Sequence, residues 1–233
     1  MLVRYSVIND KNPREIVLLR GSGCKWKRCA FCDYHTDFSE DENANFELNS
    51  KELSKVTGVY NHLEVINSGS FCDLDEKTLN LIEKVCVEKN IKTLHFECHW
   101  IHRKEIPAFK ARFSKIGVTV KIKSGIETFD RDFRENVLIK GIGETDPAII
   151  SELFDECCLL FGIKGQTLES MKNDIETGLK YFERICINLM VENTTNIRPD
   201  NEVLQIFMKE LYPLYINNPR VDILTENTDF GVG

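Results

Sequence analysis

The chain has 233 residues, 42% of them apolar and 29% charged, with a formal net charge of −7. That is enough apolar chain to bury a sizeable core, and the absence of any break in composition suits one domain over 1–233. The acidic balance argues against a general nucleic-acid or anionic-membrane binder, because phosphate recognition needs clustered Lys and Arg, but it does not exclude a small nucleobase as ligand.

The opening MLVRYSVINDKNPREIV scatters its charges and has no apolar run of signal length. No segment approaches a membrane span, so the expected location is cytoplasmic, with no membrane partner. The first strand-like run is EIVLLRG (15–21), which leads into GSGCKWKRCAFCDYHTD, where Cys24, Cys29 and Cys32 fall within nine positions. The acidic stretch SEDENANFE (39–47) is expected to be a solvated loop, followed by a helix over SKELSKVTGVY (50–60). LEVINSG (63–69) reads as a strand, and DEKTLNLIEKVCVEKN (75–90) as a helix with Leu79, Ile82 and Val85 at helical spacing. KTLHFEC (92–98) is the next strand, and RKEIPAFKARFSKIG (103–117) the next helix, with Pro107 in its first turns and Gly117 as its stop. VTVKIKSG (118–125) and CCLLFGI (157–163) are strands. TLESMKNDIETGLKYF (167–182) is a helix capped by Thr167, and RICINLM (184–190) is the last strand. Six strands separated by helices imply parallel pairing through right-handed crossovers.

The strand faces say more. Leu94, Phe96 and Cys98 alternate with His95, Glu97 and His99; Val118, Val120, Ile122 and Ile126 with Thr119, Lys121, Lys123 and Glu127; Ile185, Ile187, Leu189 and Val191 with Cys186, Asn188, Met190 and Glu192. Parallel strands in an α/β domain are normally apolar on both faces, and a charged face is no ordinary dry core. The expected fold is therefore α/β, a partial (βα)6 TIM-like barrel of parallel strands, with a polar cavity at the strands' C-terminal ends.

The nine cysteines are an odd number in a chain without a secretion signal, which argues against a disulfide framework. Six are dispersed in apolar surroundings and read as small buried hydrophobes. Cys24, Cys29 and Cys32 sit in a polar, basic loop after the first strand. Three thiolates can hold three corners of an iron–sulfur cubane and leave one iron open. A zinc site completed by His35 or Asp33 is an alternative, as is a Cys29–Cys32 redox pair. A zinc- or cluster-binding interaction module is the corresponding non-enzyme reading.

The cysteine loop, with Phe31 just before its last cysteine, the Gly-bearing NSGSF (67–71), SGIET (124–128) and GIKGQT (162–167) follow one another at successive strand ends. In that order they resemble the radical S-adenosylmethionine (SAM) superfamily over most of the chain. The cysteine gaps here are four and two residues, where the superfamily's usual gaps are three and two. The resemblance implies a [4Fe–4S] cluster on Cys24, Cys29 and Cys32, whose open iron binds SAM. It further implies SAM contacts from Phe31, Tyr34, Ser68, Gly69, Ser70, Lys123, Glu127, Ile163 and Gly165, and a one-electron reductant such as flavodoxin or ferredoxin. The reaction implied begins with homolytic cleavage of SAM to a 5′-deoxyadenosyl radical, which abstracts a substrate hydrogen.

The chain carries no second cysteine cluster and no tRNA-binding extension, which favours a small-molecule substrate and no direct nucleic acid. In size, in the four-then-two spacing and in GSGCKWKRCAFCDYHTD and NSGSFCD, it is similar to the queuine lyases, salvage enzymes that convert queuine to preQ1 (7-aminomethyl-7-deazaguanine), a precursor of the tRNA nucleoside queuosine. That resemblance implies a lyase cleaving the C–N bond to the aminomethyl group. Another small metabolite or a peptide remains the alternative substrate. A deazaguanine edge and a diol call for carboxylate, amide and imidazole partners, and Asn45, His95, Glu97, His99, Asn188, Glu192 and Asp229 are the candidates. The sequence singles out no acid or base.

Overall fold

The computed structural model describes residues 3–225. Its strands are β1 (Tyr5–Ile8), β2 (Arg14–Leu19), β3 (His62–Asn67), β4 (Thr93–Glu97), β5 (Thr119–Glu127), β6 (Glu156–Phe161), β7 (Arg184–Leu189) and β8 (Val221–Leu224). They form one sheet in chain order. β1 lies antiparallel to β2, and the pairs β2–β3, β3–β4, β5–β6, β6–β7 and β7–β8 are parallel. The six expected strands are present. β1 and β8 add one at each edge, each four residues long and too short to show a period in the sequence.

By its internal contacts the described chain divides into two compact units, one of the residues up to 27 with 34–122, and one of residues 28–33 with those from 123 on. In the first unit, helices α1 (Glu42–Leu53), α2 (Glu76–Glu88) and α3 (Ile106–Ser114) follow β2, β3 and β4. Leu79, Ile82 and Val85 of α2 are buried as their spacing requires. Phe71, Phe96, Phe109 and Phe113 form an aromatic core, with Phe71 stacked on Phe109 at 3.9 Å between ring centroids. Both charges that open β2 are buried because both are paired: Arg14 with Glu64, and Glu15 with Tyr5 Oη and the backbone N–H groups of Thr57 and Gly58, each donating at 2.7 Å.

The acidic stretch 39–47 is not a loop. Asp41 caps α1 by accepting from the Asn43 and Ala44 N–H groups, so most of that stretch is helical and the helix ends at Leu53. Its buried face carries Asn45 and Asn49, and Asn49 bonds both backbone groups of Arg20 and the Thr78 hydroxyl. A helix docked through amides shows no apolar period. The third expected helix opens instead with a 3₁₀ segment, Trp100–Glu105, before α3 starts at Ile106 with Pro107 in its first turn.

In the second unit, α4 (Pro147–Ser151) precedes β6 and α5 (Leu168–Tyr181) follows it. Beyond β7, α6 (Asn201–Ile206) runs through a π turn (Phe207–Leu211) into α7 (Tyr212–Tyr215). Met171 and Ile175 of α5 are fully buried, and a Cβ at Gly178 would stand 2.7 Å from Ile185. Close packing of α5 on β7 therefore needs the glycine. At the strand starts Arg184 bridges Glu156 (2.7 Å) and Asp222 (2.8 Å), a buried triad in which each charge has a partner. The polar strand faces are buried only in part: Lys123 is 5% and Asn188 3% exposed, whereas Lys121, Glu97 and His99 are half-buried and Thr119 and Glu192 are exposed.

Candidate active site

In the first unit the polar groups gather where β2, β3 and β4 end. Cys24 follows β2 by five residues, half-buried and unbridged. The four-residue gap after it closes with Lys27 in the left-handed region (φ 50°) and its ammonium over the Phe38 ring at 4.7 Å. Trp26 stacks on His99, ring centroids 5.4 Å apart, so the loop is pinned to the end of β4. The NSGS turn after β3 lies against the same loop. A Cβ on Gly69 would stand 3.1 Å from the Cys24 Cα and inside contact distance of Asp73 Oδ2, so this position takes glycine for close backbone approach. Ser70 N–H donates to Asp73 Oδ2 (2.7 Å), and the Ser70 hydroxyl accepts from His99 N–H (2.9 Å). Ser68 reaches Asp37 at 3.5 Å, and Asp37 pairs with Arg4. Among the described residues Asn67 Oδ1 and Asp73 Oδ1 are buried without a hydrogen-bond partner. Burial pushes the Asp73 carboxyl above its usual range, against the Ser70 N–H bond and the nearby His102. Buried acceptors of this kind await a donor.

The second unit carries the other half of the cysteine loop. Cys29 and Cys32 pack against a cluster of Phe31, Leu138, Leu160, Ile163 and Met190. Ala30 N–H donates to Leu138 O (2.9 Å), Asn193 donates to Phe31 O (2.7 Å), and Thr194 N–H and hydroxyl both donate to Asp33 (3.0 Å). Phe31 and Ile163, two of the expected cofactor residues, are thus brought together, with Gly165 (φ 102°) in the tight turn two residues beyond. Glu127 closes β5 at a register shift, with φ 67°. One carboxylate oxygen binds Lys140 Nζ at 2.7 Å; the other, like Ser124 Oγ and Asn188 Oδ1, is buried without a partner among the described residues. Burial opposes the charge on Lys140. The Glu127 carboxylate and the Cys29 and Cys32 sulfurs outweigh it and hold the ammonium well above the ordinary lysine range.

Several expected residues stand apart from these groups or are already engaged. Asn45 donates to Ser39 O (2.8 Å) and accepts from Arg20 Nε (2.7 Å). Glu192 is exposed and pairs with Arg198 at 3.4 Å. Tyr34 opens a short 3₁₀ turn, half-buried. His95 is buried, with its ring 6.1 Å from that of His62, and Glu97 is half-buried. Asp229 lies outside the described residues. Among the described residues no three Cys, His, Asp or Glu side chains are grouped to hold a single metal ion. A cubane does not require such a group, since each cysteine binds a different iron.

The chain is 43% identical, over all of both chains and with a TM-score of 0.94, to the queuine lyase from Clostridium spiroforme, whose structure holds SAM and queuine. The chain belongs to the queuine lyase family of radical SAM enzymes. With that match the α/β partial (βα)6 barrel expected from the sequence is its fold. A fold likeness also extends to Streptococcus suis SuiB, solved with and without SAM, at TM-scores of 0.53 and 0.52 and 12% identity; the chain spans about half of SuiB's length. No protein-family profile and no curated protein sequence matches.

Sequence reasoning missed four residues of this queuine lyase family member's polar groups: Asp37, Asn67, Asp73 and Lys140. Asn67 and Asp73 flank the Gly69 turn and were within reach of that motif. Lys140 lies in a loop thirteen residues after Glu127, and no periodicity marks it.

Proposed function

We propose that this chain is a queuine lyase, acting as one domain in the cytoplasm, which cleaves queuine to release preQ1 in queuine salvage for the tRNA modification pathway. The observation that carries the reading is the full-length, 43% identical match to a lyase whose structure holds SAM and queuine. The chemistry of this chain's residues fits the implied groups. Three thiols free of disulfides lie in one loop, the turn at Gly69 leaves no ready room for a Cβ beside Cys24, and buried oxygens without a partner among the described residues lie at the ends of β3, β5 and β7.

Cys24, Cys29 and Cys32 would hold the [4Fe–4S] cluster, and Phe31 would keep water from the side that Cys29 and Cys32 share. Once bound, the cluster would supply the one electron needed to break the C–S bond of SAM, giving methionine and a 5′-deoxyadenosyl radical able to take a hydrogen from queuine. Ser68, Gly69 and Ser70 would receive the SAM amino group through backbone carbonyls and hydroxyls. Glu127, with one oxygen unpartnered, would accept ribose hydroxyls, and Lys123 would pair with the SAM carboxylate. Ile163 and Gly165 would flank the adenine. For queuine we assign the diol and base edge to His95, Glu97, His99 and Asn188, with Asp229 from the chain's end. Asn45 and Glu192 reach the substrate only by leaving Arg20 and Arg198. The electron would come from a small reductant of the flavodoxin or ferredoxin class.

The test is anaerobic reconstitution followed by incubation with SAM, a reductant and queuine. The expected result is about four irons per chain, with 5′-deoxyadenosine and preQ1 formed only when queuine is present. Stoichiometric zinc without iron would sink the cluster reading. Iron-loaded protein that forms 5′-deoxyadenosine with another metabolite but no preQ1 from queuine would sink the substrate reading alone.

A further inference from the structure

Lys140 stands beside the cysteine loop in a position that the reaction itself does not explain. Its ammonium lies 5.4 Å over the Phe31 ring and 2.7 Å from Glu127 Oε1, and the side chain is 11% exposed. Its loop is firmly held. The fully buried Arg134 donates to Ile142 O (3.0 Å) and Glu144 O (2.6 Å), while Glu135 accepts from the Gly141 and Ile142 N–H groups at 2.8 and 3.1 Å. Ile139, one residue before the lysine, is held in the left-handed region (φ 54°). That conformation persists only where the surroundings over-determine it. The Ala30–Leu138 backbone bond ties the same loop to the segment between Cys29 and Cys32. The lysine is therefore fixed in place, and a long cationic side chain with such restricted freedom is unusual.

The ammonium is the end of the ion pair that faces Phe31, the residue just before Cys32, and it interacts electrostatically with the Cys29 and Cys32 sulfurs. An iron–sulfur cluster that takes up an electron gains one negative charge, and its potential is set by nearby charge, hydrogen bonds and exposure. A fixed cation favours the reduced state.

We propose that Lys140, oriented by Glu127 and the Phe31 ring, is a positioning charge that raises the reduction potential of the cluster held by Cys24, Cys29 and Cys32. The inference rests on the cluster reading above. Its effect would be exerted through the field it places at the Cys29–Cys32 end of the loop.

The test is an anaerobic redox titration of the reconstituted full chain, followed by electron paramagnetic resonance, with iron counted in parallel. Lys140→Met is expected to keep wild-type iron and to lower the reduced-to-oxidised ratio at a fixed potential about tenfold, which is about 59 mV for one electron. Lys140→Arg should stay near wild type, and Lys180→Met, an exposed lysine on α5, should leave the potential unchanged. If Lys140→Met loses iron because Glu127 is left unpaired, Lys140→Met with Glu127→Gln replaces the ion pair by a neutral one and should show the same fall. An unchanged potential on an assembled cluster overturns the inference and leaves the cluster reading intact. Loss of iron from the neutral pair also overturns it, since Lys140 would then be a packing element of the loop. A wild-type chain that takes up no iron overturns both.

Discussion

Gly69→Ala tests the link between the NSGS turn and the cysteine loop. The new Cβ would stand 3.1 Å from the Cys24 Cα and closer still to Asp73 Oδ2. Neither neighbour gives way freely. The first is backbone, and the second accepts the Ser70 N–H at 2.7 Å, a bond to a charged group that is worth about 1.5–3 kcal/mol. Overpacking of a tight site costs about 1–3 kcal/mol, so about 2 kcal/mol is a reasonable central value. If the fold absorbs it, a chain of this size loses about 2–4 °C of melting temperature per kcal/mol, or roughly 4–8 °C. If the turn moves instead, SAM affinity falls by about tenfold for each 1.4 kcal/mol, or roughly 30-fold. Thermal unfolding and equilibrium SAM binding to iron-loaded protein read the two routes separately. Gly143→Ala is the control, because a Cβ there meets nothing within 4 Å. Wild-type melting together with wild-type SAM binding in Gly69→Ala would refute the close-approach argument.

Cys29→Ala should abolish iron uptake and turnover, whereas Cys157→Ala, a fully buried thiol packed on Gly178, should keep both; iron counting and the preQ1 assay separate them. Arg184→Met removes the guanidinium that bridges the buried Glu156 and Asp222 and should cost about 3–5 kcal/mol in denaturant unfolding. Burial raises the Asp174 carboxyl to about 6 despite the Phe129 N–H bond it accepts, so the folded state holds that proton more tightly than the unfolded state. Stability should therefore fall as pH rises from about 4 through about 6, by about 3 kcal/mol, and level off above. Asp174→Asn should remove that slope, and equal slopes in the two proteins would refute the assignment.

What was legible in the sequence was local. The alternation of Leu94, Phe96 and Cys98 with His95, Glu97 and His99 marks a strand without help from the rest of the chain. The same holds for the helical spacing of Leu79, Ile82 and Val85 and for three cysteines in nine positions. What escaped depends on partners far along the chain. α1 docks through Asn45 and Asn49, whose partners lie on Arg20, Ser39 and Thr78, so no hydrophobic period announces it. Lys140 gains its place from Arg134, Glu135 and the Ala30–Leu138 bond, none of which has a sequence signature. β1 and β8 are four-residue edges whose pairing is decided by the neighbouring strand.

Glu127 joins both kinds of information at one residue. Alternation along β5 assigns it to the polar row, but the strand does not simply continue there. The register shifts between Gly125 and Glu127, and Glu127 takes φ 67°, a left-handed conformation that costs a bulky residue about 1–3 kcal/mol. Gly125 makes room for the arrangement, since a Cβ there would lie 2.5 Å from Glu127 Oε1 and 2.7 Å from Lys140 Nζ. The side chain so placed satisfies one oxygen with Lys140 and leaves the other buried and unpartnered among the described residues, a further cost of about 1–3 kcal/mol. Strain, a glycine kept for clearance and an unpaired acceptor at one strand end oppose folding locally. Sequences tolerate such conflicts where a site requires them. A hydroxyl donated to Glu127 Oε2 would recover the unpaired term, which is the physical reason to place a ribose there, and the same carboxylate aims Lys140 at the cysteine loop. One strained residue would thus serve both ends of the proposed site: Oε2 the SAM ribose, and Oε1 the charge beside the cluster ligands.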